Sequence, residues 1–238
     1  MFTKKWAQKE SEIQRLRNVE LKSAYEQIES QTKKIIDSIK YAKRIQQSIL
    51  IPIEQIQKHF RESFVFYLPK DIVSGDFYWF SNKGNQLVLA AVDCTGHGVP
   101  GAFMVVMANA LLNEIINEKN VLFPTDILTD LDNKLRKSLH KSEGENGSRD
   151  GMDLSLIILD TDKNEIHFSG AKNPLYWIRN NEIEQIRGSK FPIGGTFMQA
   201  EKYKTHSLKT QKDDIFYIFS DGFADQFGGE MNQKYMSK

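Results

Sequence analysis

The sequence predicts an α+β domain behind a long coiled-coil helix, and three observations predict it. Residues 4–50 hold no glycine and no proline, and Leu21, Ile28, Ile35, Ala42 and Ile49 recur at every seventh position, the spacing of a helix that buries a stripe against a partner. From Ser63 onward the period shortens to β-branched and aromatic runs separated by turn residues, the signature of short strands. Two segments of helical length, Ala102–Glu118 and Thr125–His140, interrupt those strands in the middle of the chain. Grouped helices among hairpins fit α+β layers better than an alternating βαβ series.

The helix comes first. Ala24, Tyr25, Ile39 and Ile45 partly fill the second seam position, with polar gaps at Gln31, Ser38 and Gln46. Such a stripe cannot be buried by one helix alone, so residues 1–52 are expected to act as a coiled-coil linker that forms a homodimer. A solvated helix packed on its own domain is the alternative. Pro52 marks the end, and residues 60–238 are expected to be the globular domain. Its strand runs are SFVFYL (63–68), GDFYWF (75–80), QLVLAAV (86–92), LSLIILD (154–160), EIHFSG (165–170), LYWIRN (175–180) and DIFYIFS (214–220). The spacings at DTDKNE and RNNE read as hairpins, which makes the sheets largely antiparallel. Asp126, Asp130 and Asp132 read as the solvated face of the second helix, and KSEGENGSRDG (141–151) as a mobile polar loop.

Composition narrows the function. The 238 residues carry a net charge of +1, which does not favour a nucleic-acid partner. The single cysteine, Cys94, rules out an internal disulfide framework and fits a reducing compartment. No apolar run is read as long enough for a membrane span, and the charged N-terminus is unlike a signal peptide. The expected location is the cytoplasm.

The organising stretch is Gln86–Met104, QLVLAAVDCTGHGVPGAFM. An apolar strand ends at Asp93, a turn with Gly96, Gly98 and Gly101 follows, and a helix begins. Taken alone, Asp93 reads as readily as a turn residue as a ligand. Two further aspartates share its setting: Asp76 in VSGDFYWF and Asp221 in YIFSDGFADQF, each at a strand edge beside glycine. Carboxylates gathered on strand ends repel one another unless a cation sits between them. Oxygen-only ligands select Mg²⁺ or Mn²⁺, and two such ions activate water and clamp a phosphoryl oxygen. Zinc is disfavoured, since no Cys pair or His pair has ligand spacing. The loop 94–101 lacks the Gly-Lys-Ser/Thr of a phosphate loop, no dinucleotide fingerprint is present, and Ser220 is not in a G-x-S-x-G elbow. His97 reads as structural more readily than as a general acid, and Cys94 as a buried small residue.

At these residues the chain resembles the PPM (PP2C-like) metal-dependent serine/threonine phosphatases, in their bacterial SpoIIE/RsbU branch. The matching stretches are PKDIVSGDFYWF, VDCTGHGVPGAFM, DGMDLSLIILD, SGAKNPLYWI, FPIGG and FSDGFADQFGG, in that order over residues 60–230. The resemblance implies a PP2C-like α-β-β-α sandwich of two antiparallel sheets with a binuclear Mn²⁺ or Mg²⁺ site at one end. It implies that Asp76, Asp93 and Asp221 ligate metal and act through a metal-activated water, with Cys94 contributing its backbone carbonyl. Asp150 or Asp153 falls near the position of a third metal in some members. Lys70 precedes the first motif, where a basic residue would meet substrate phosphate. Gly96, Gly98, Gly101 and Pro174 look like shape residues.

The implied function is hydrolysis of phosphoserine or phosphothreonine on a regulatory protein in bacterial signal transduction. The helix would relay an upstream sensor to the segment Gly98–Met104. The family's pattern continues past the Asp-Gly motif to another metal aspartate, usually in an Asp-Asp pair, and no substitute for it precedes Lys238. The expectation is a truncated copy of an active enzyme or, alternatively, a weak or inactive phosphatase-like signalling module. Another metal-dependent phosphoesterase, such as a nuclease, is a further rival that the near-neutral charge disfavours.

Overall fold

In the computed structural model, residues 2–140, 150–195, 202–222, 224–225, 227–228 and 233–234 are described. The chain forms two units, Met1–Arg44 and Ile45–Lys238. Helix α1 runs Phe2–Ile49, matching the glycine- and proline-free stretch. Its heptad residues Leu21, Ile28 and Ile35 are all more than half exposed in the single chain.

The second unit is built on strands β1 (Asp76–Lys83), β2 (Gln86–Cys94), β3 (Gly151–Asp160), β4 (Glu165–Ala171), β5 (Leu175–Arg179), β6 (Glu182–Ile186), β7 (Ile193–Gly194), β8 (His206–Lys209) and β9 (Ile215–Ile218), with short β10 (Phe227–Gly228) and β11 (Gln233–Lys234). A first sheet has the order β1-β2-β3-β4-β8, with β7 pairing on β3, and a second has the order β6-β5-β9. All strand pairings in both sheets are antiparallel, as the hairpin spacings predict.

Side-chain alternation sorts the faces of the first sheet. Val88, Ala90 and Val92 of β2 and Met152, Leu154, Leu156 and Ile158 of β3 pack with helices α3 (Gly98–Leu112) and α4 (Pro124–His140). The intervening positions Leu89, Ile157 and Leu159 meet Leu175, Phe216 and Ile218 of the second sheet. A short helix, α2 (Ile53–Gln57), places Ile56 against Phe80 and Leu87.

Several sequence expectations need correction. Residues 63–68 alternate like a strand but pair with no strand among the described residues. Phe64, Phe66 and Leu68 are 70–79% exposed, so period alone does not make a strand without a ladder partner. Asp132 is not solvated: it is buried, accepts from the Gly194 N–H at 2.7 Å, and receives Arg136 Nε at 3.1 Å and Lys202 Nζ at 2.8 Å. That network pins β7 to α4, and β7 in turn pairs Gly151 and Met152 at the start of β3. Asp126 is exposed and Asp130 half-buried. Finally, α3 with the π-helical turn after it, Gly98–Glu118, is by length and composition apolar enough to cross a membrane. Its Val105, Ala108, Leu112, Ile115 and Ile116 are fully buried in the core cluster, which accounts for that composition. Most of the 141–151 loop lies outside the described residues.

Candidate active site

The register of three adjacent strands builds the site. Asp76 opposes Asp93 across β1 and β2, and Asp93 opposes Asp153 across β2 and β3. Directly opposed residues of an antiparallel sheet share a face, with Cβ atoms about 4.5–5.5 Å apart. The row lies on the face that meets the second sheet, because Asp93 and Asp153 are in phase with Leu89 and Ile157. Asp221 comes from that second sheet, on the turn after β9. Ser220, just before it, donates its hydroxyl to Asp76 Oδ2 at 2.8 Å.

The backbone around the row is drawn unusually close. A Cβ on Gly75 would lie 2.6 Å from the Gly96 carbonyl oxygen and 3.0 Å from that of Cys94, and a Cβ on Gly101 would lie 2.6 Å from the same Gly96 oxygen. Contacts that short exclude any side chain. The entry to β1, the loop after β2 and the first turn of α3 therefore touch backbone to backbone beside the acids. The Cys94 N–H donates to the Gly75 carbonyl at 3.1 Å, and the Thr95 N–H to that of Gly151 at 2.9 Å.

Crowding shows in the electrostatics. Burial raises the Asp93 pKa, the Asp76 and Asp221 carboxylates raise it further, and together they push it to about 8. Asp153 is also raised, by burial, and Lys172 partly offsets this from 3.2 Å. Both shifts follow the rule that desolvation and like charges disfavour an ionised carboxylate. The Cys94 side chain projects to the helix face, 2% exposed, and burial raises its thiol pKa well above the ordinary value. It is a buried small residue, not a nucleophile.

The remaining candidates are less central. Asp150 lies just before β3, three residues ahead of Asp153, its Oδ1 accepting from Thr95 Oγ1 at 3.0 Å. Lys70 is exposed on the bend before β1. His97 caps α3 from an exposed position, with Nδ1 3.1 Å from Asp71 Oδ2. Among the described residues, no three His, Cys, Asp or Glu side chains close on one point at metal-ligand spacing. The acids are pairwise neighbours, with Asp93 next to both Asp76 and Asp221. The donor set nonetheless fits a hard divalent cation in kind: carboxylate oxygens, no soft ligand in the row, and ionisation opposed by their own repulsion.

Sequence reasoning missed the residues that hold Asp76. Gln46, read as a heptad gap, is 4% exposed. Its Nε2 donates to the Ser74 carbonyl at 2.7 Å, and its Oε1 accepts the Ser74 N–H at 2.9 Å. Ser74 Oγ in turn accepts the Asp76 N–H at 3.0 Å, and Tyr67 donates its hydroxyl to the Asp76 carbonyl at 3.2 Å. The signal available in the sequence was a polar residue interrupting a seam just before the helix ends.

Residues 83–236 match the family model described as Stage II sporulation protein E (SpoIIE). Among solved structures, the SiaA PP2C domain of Pseudomonas aeruginosa is similar at 33% identity and TM-score 0.76, over 87% of this chain and 79% of that one. The PP2C phosphatase domain with a regulatory fragment of SpoIIE from Bacillus subtilis aligns at 21% identity and TM-score 0.53, over 64% of this chain and 43% of that one. The RsbU and RsbW domains of a Mycobacterium tuberculosis protein align at 18% identity and TM-score 0.54, over 67% and 42%. The chain thus spans less than half the length of these last two structures, and the likeness to them is one of fold. A search of curated proteins gave no match. PP2C-type phosphatases are metal-dependent, and with the family model covering more than half of its length, this chain belongs to the SpoIIE family of PP2C-type phosphatase domains.

Proposed function

We propose that this chain is a metal-dependent protein phosphatase that hydrolyses phosphoserine or phosphothreonine on a regulatory protein. The observation that carries the reading is the row Asp76–Asp93–Asp153 on three adjacent strands, with Asp221 arriving from the second sheet. Two Mn²⁺ or Mg²⁺ ions, when bound, would activate water and neutralise charge on the phosphoryl oxygens. Asp76, Asp93, Asp221 and the Cys94 carbonyl are the residues that would hold them.

The chain's own residues define the rest. Ser74, Tyr67 and Ser220 fix the backbone and carboxylate of Asp76, so one ligand is oriented before any ion arrives. The Cys94 thiol faces the helices and is not placed to attack; in this reading the attacking group is water. Its oxygen bonds to phosphorus as the seryl or threonyl O–P bond breaks, giving phosphate and the free hydroxyl, with no covalent enzyme intermediate. The third-metal role of Asp150 or Asp153 and the phosphate contact of Lys70 belong to the same proposal.

Residues 1–52 would form the homodimeric coiled-coil linker, relaying an upstream sensor to the domain at 60–238 in the cytoplasm. The exposed heptad residues of α1 support the dimer. The Mycobacterium structure, in which an RsbU domain occurs with an RsbW domain, supports a regulatory-protein substrate. The test is Mn²⁺-dependent turnover of p-nitrophenyl phosphate, with calorimetry of Mn²⁺ binding. Turnover that is lost in Asp93→Asn is expected. Weak single-site binding without turnover would instead identify a phosphatase-like scaffold, and turnover unchanged by Asp93→Asn would overturn the mechanism.

A further inference from the structure

We propose that a basic groove next to the acid row binds an anionic stretch of the substrate protein beside its phosphorylated residue; this rests on the phosphatase reading. The groove has a volume of about 490 Å³ and is lined by three cations, Lys172, Arg187 and Lys190, with Tyr176, Gln185 and Ser189 among its polar residues. That volume lies within the ~300–1,000 Å³ range of ligand clefts. Among the described residues, no acidic side chain lines it, and the whole chain carries only +1. Three cations in one concavity are therefore a local concentration of charge, not a reflection of composition.

The groove is built, not incidental. A Cβ on Gly170 would lie 2.2 Å from the Asn173 carbonyl oxygen, and one on Gly188 would lie 2.6 Å from the same atom. The end of β4 and the segment after β6 can approach so closely only without side chains there. Lys172 adopts a left-handed backbone at φ 61°, a conformation in which the Cβ of a non-glycine residue crowds the following carbonyl oxygen. Its N–H is held by the Ser189 carbonyl at 2.7 Å. Strain of this kind persists where the surroundings over-determine it. Here it holds the Lys172 ammonium 3.2 Å from Asp153 Oδ2, so one wall of the groove ends on the acid row.

Arg187 and Lys190 are exposed and enter no ion pair among the described residues. Arginine and lysine facing a cleft suit carboxylates or a second phosphate, the first by bidentate hydrogen bonds. The Tyr176 hydroxyl, which accepts from Gln185 Nε2 at 3.0 Å, still has its own proton to donate. A phosphoprotein with Asp, Glu or a second phosphate near the target residue would be drawn in. A peptide with neutral flanks would gain nothing from this surface.

The test compares the full chain with a double variant, Arg187→Ala with Lys190→Ala, both at exposed positions. The first readout is the ratio of kcat/KM for a phosphoserine peptide with acidic flanks to that for one with neutral flanks. It should be about tenfold or more in the parent, as lost charge-assisted hydrogen bonds imply, and near one in the variant. The second is fluorescence anisotropy of an unphosphorylated acidic peptide on metal-free protein, where the variant should bind at least tenfold more weakly. Equal ratios in both proteins, with p-nitrophenyl phosphate still hydrolysed by the parent, would overturn the groove and leave the phosphatase reading intact. Charge-dependent peptide binding by a parent that hydrolyses nothing would uphold the groove as an anionic-segment site and overturn that reading. Preference for a single-stranded oligonucleotide over the acidic peptide would overturn the assigned partner class.

Discussion

The candidate centre is assembled from two kinds of backbone. Asp76, Asp93 and Asp153 stand on neighbouring strands whose register is fixed by ladders eight and nine residues long. Asp221 stands on a turn beyond the four-residue β9; its own carbonyl accepts the Asp225 N–H at 2.9 Å, and its neighbour Ser220 reaches back to Asp76. One side of the site is set by the sheet, and the other is tethered to it by the Ser220 hydroxyl. A hydrogen-bonded ladder fixes position without regard to charge, whereas a turn carboxylate can yield to repulsion. The rigid side should therefore tolerate nothing at Asp93, while the turn side should lose affinity by degrees.

The largest expected effect is at Asp93. Substitution Asp93→Asn should reduce Mn²⁺-dependent turnover to background. It should also stabilise the metal-free fold, because a carboxyl whose pKa rises to about 8 holds its proton more tightly folded than unfolded. The resulting penalty is absent below about pH 4, grows between about pH 4 and 8, and is complete above that. Thermal melts in EDTA at pH 8 should show the variant higher by about 2–4 °C, the shift that roughly 1 kcal/mol produces in a domain of this size. A lower melting temperature would mean that Asp93 is not strained by its neighbours.

Next is the tether. Ser220→Ala should weaken Mn²⁺ binding about 10–100-fold, the usual cost of losing a partner that orients a ligand, with turnover restored at high Mn²⁺. Calorimetry on this variant and on Asp221→Asn checks whether the turn side acts as a unit. Identical affinities in Ser220→Ala and the parent would break the comparison.

Gln46→Ala should act on the rigid side from outside the sheet. It leaves the Ser74 N–H and carbonyl buried and unpaired, costing about 1–3 kcal/mol. A melt checks the stability loss. Mn²⁺ titration of the variant distinguishes a positioning role, which predicts weaker binding, from a purely structural one. The smallest effect is remote from the acids. Arg179 forms two hydrogen bonds with Asp214 at 2.7 and 2.8 Å and holds its pKa at about 2. A depressed carboxylate contributes stability above its unfolded pKa, so this contribution is present above about pH 4 and is lost as pH falls toward 2. Acid titration of Asp214→Asn should show a flatter stability loss in that window.

How much was legible follows from what each residue depends on. Asp76, Asp93 and Asp221 could be read because strand ends beside glycine are written in consecutive residues. Asp153 could not be separated from Asp150 without the register, which depends on pairing between strands some sixty residues apart and places Asp153 alone opposite Asp93. Asp132 misleads because charge is usually solvated. Here Arg136, one turn along the same helix, together with Lys202 and the Gly194 N–H from distant segments, rewards its burial. Phe64, Phe66 and Leu68 mislead in the opposite direction, since alternation records a period but not a partner.

The faces of β2 have a practical corollary. The chain's one sulfhydryl sits at the end of the strand that carries Asp93 but points to the opposite side, sealed under the helices. Alkylating reagents can reach Cys94 only when that end of the sheet opens. The rate of its labelling is therefore a built-in clock for local opening beside the centre, readable by mass spectrometry in an unmodified protein.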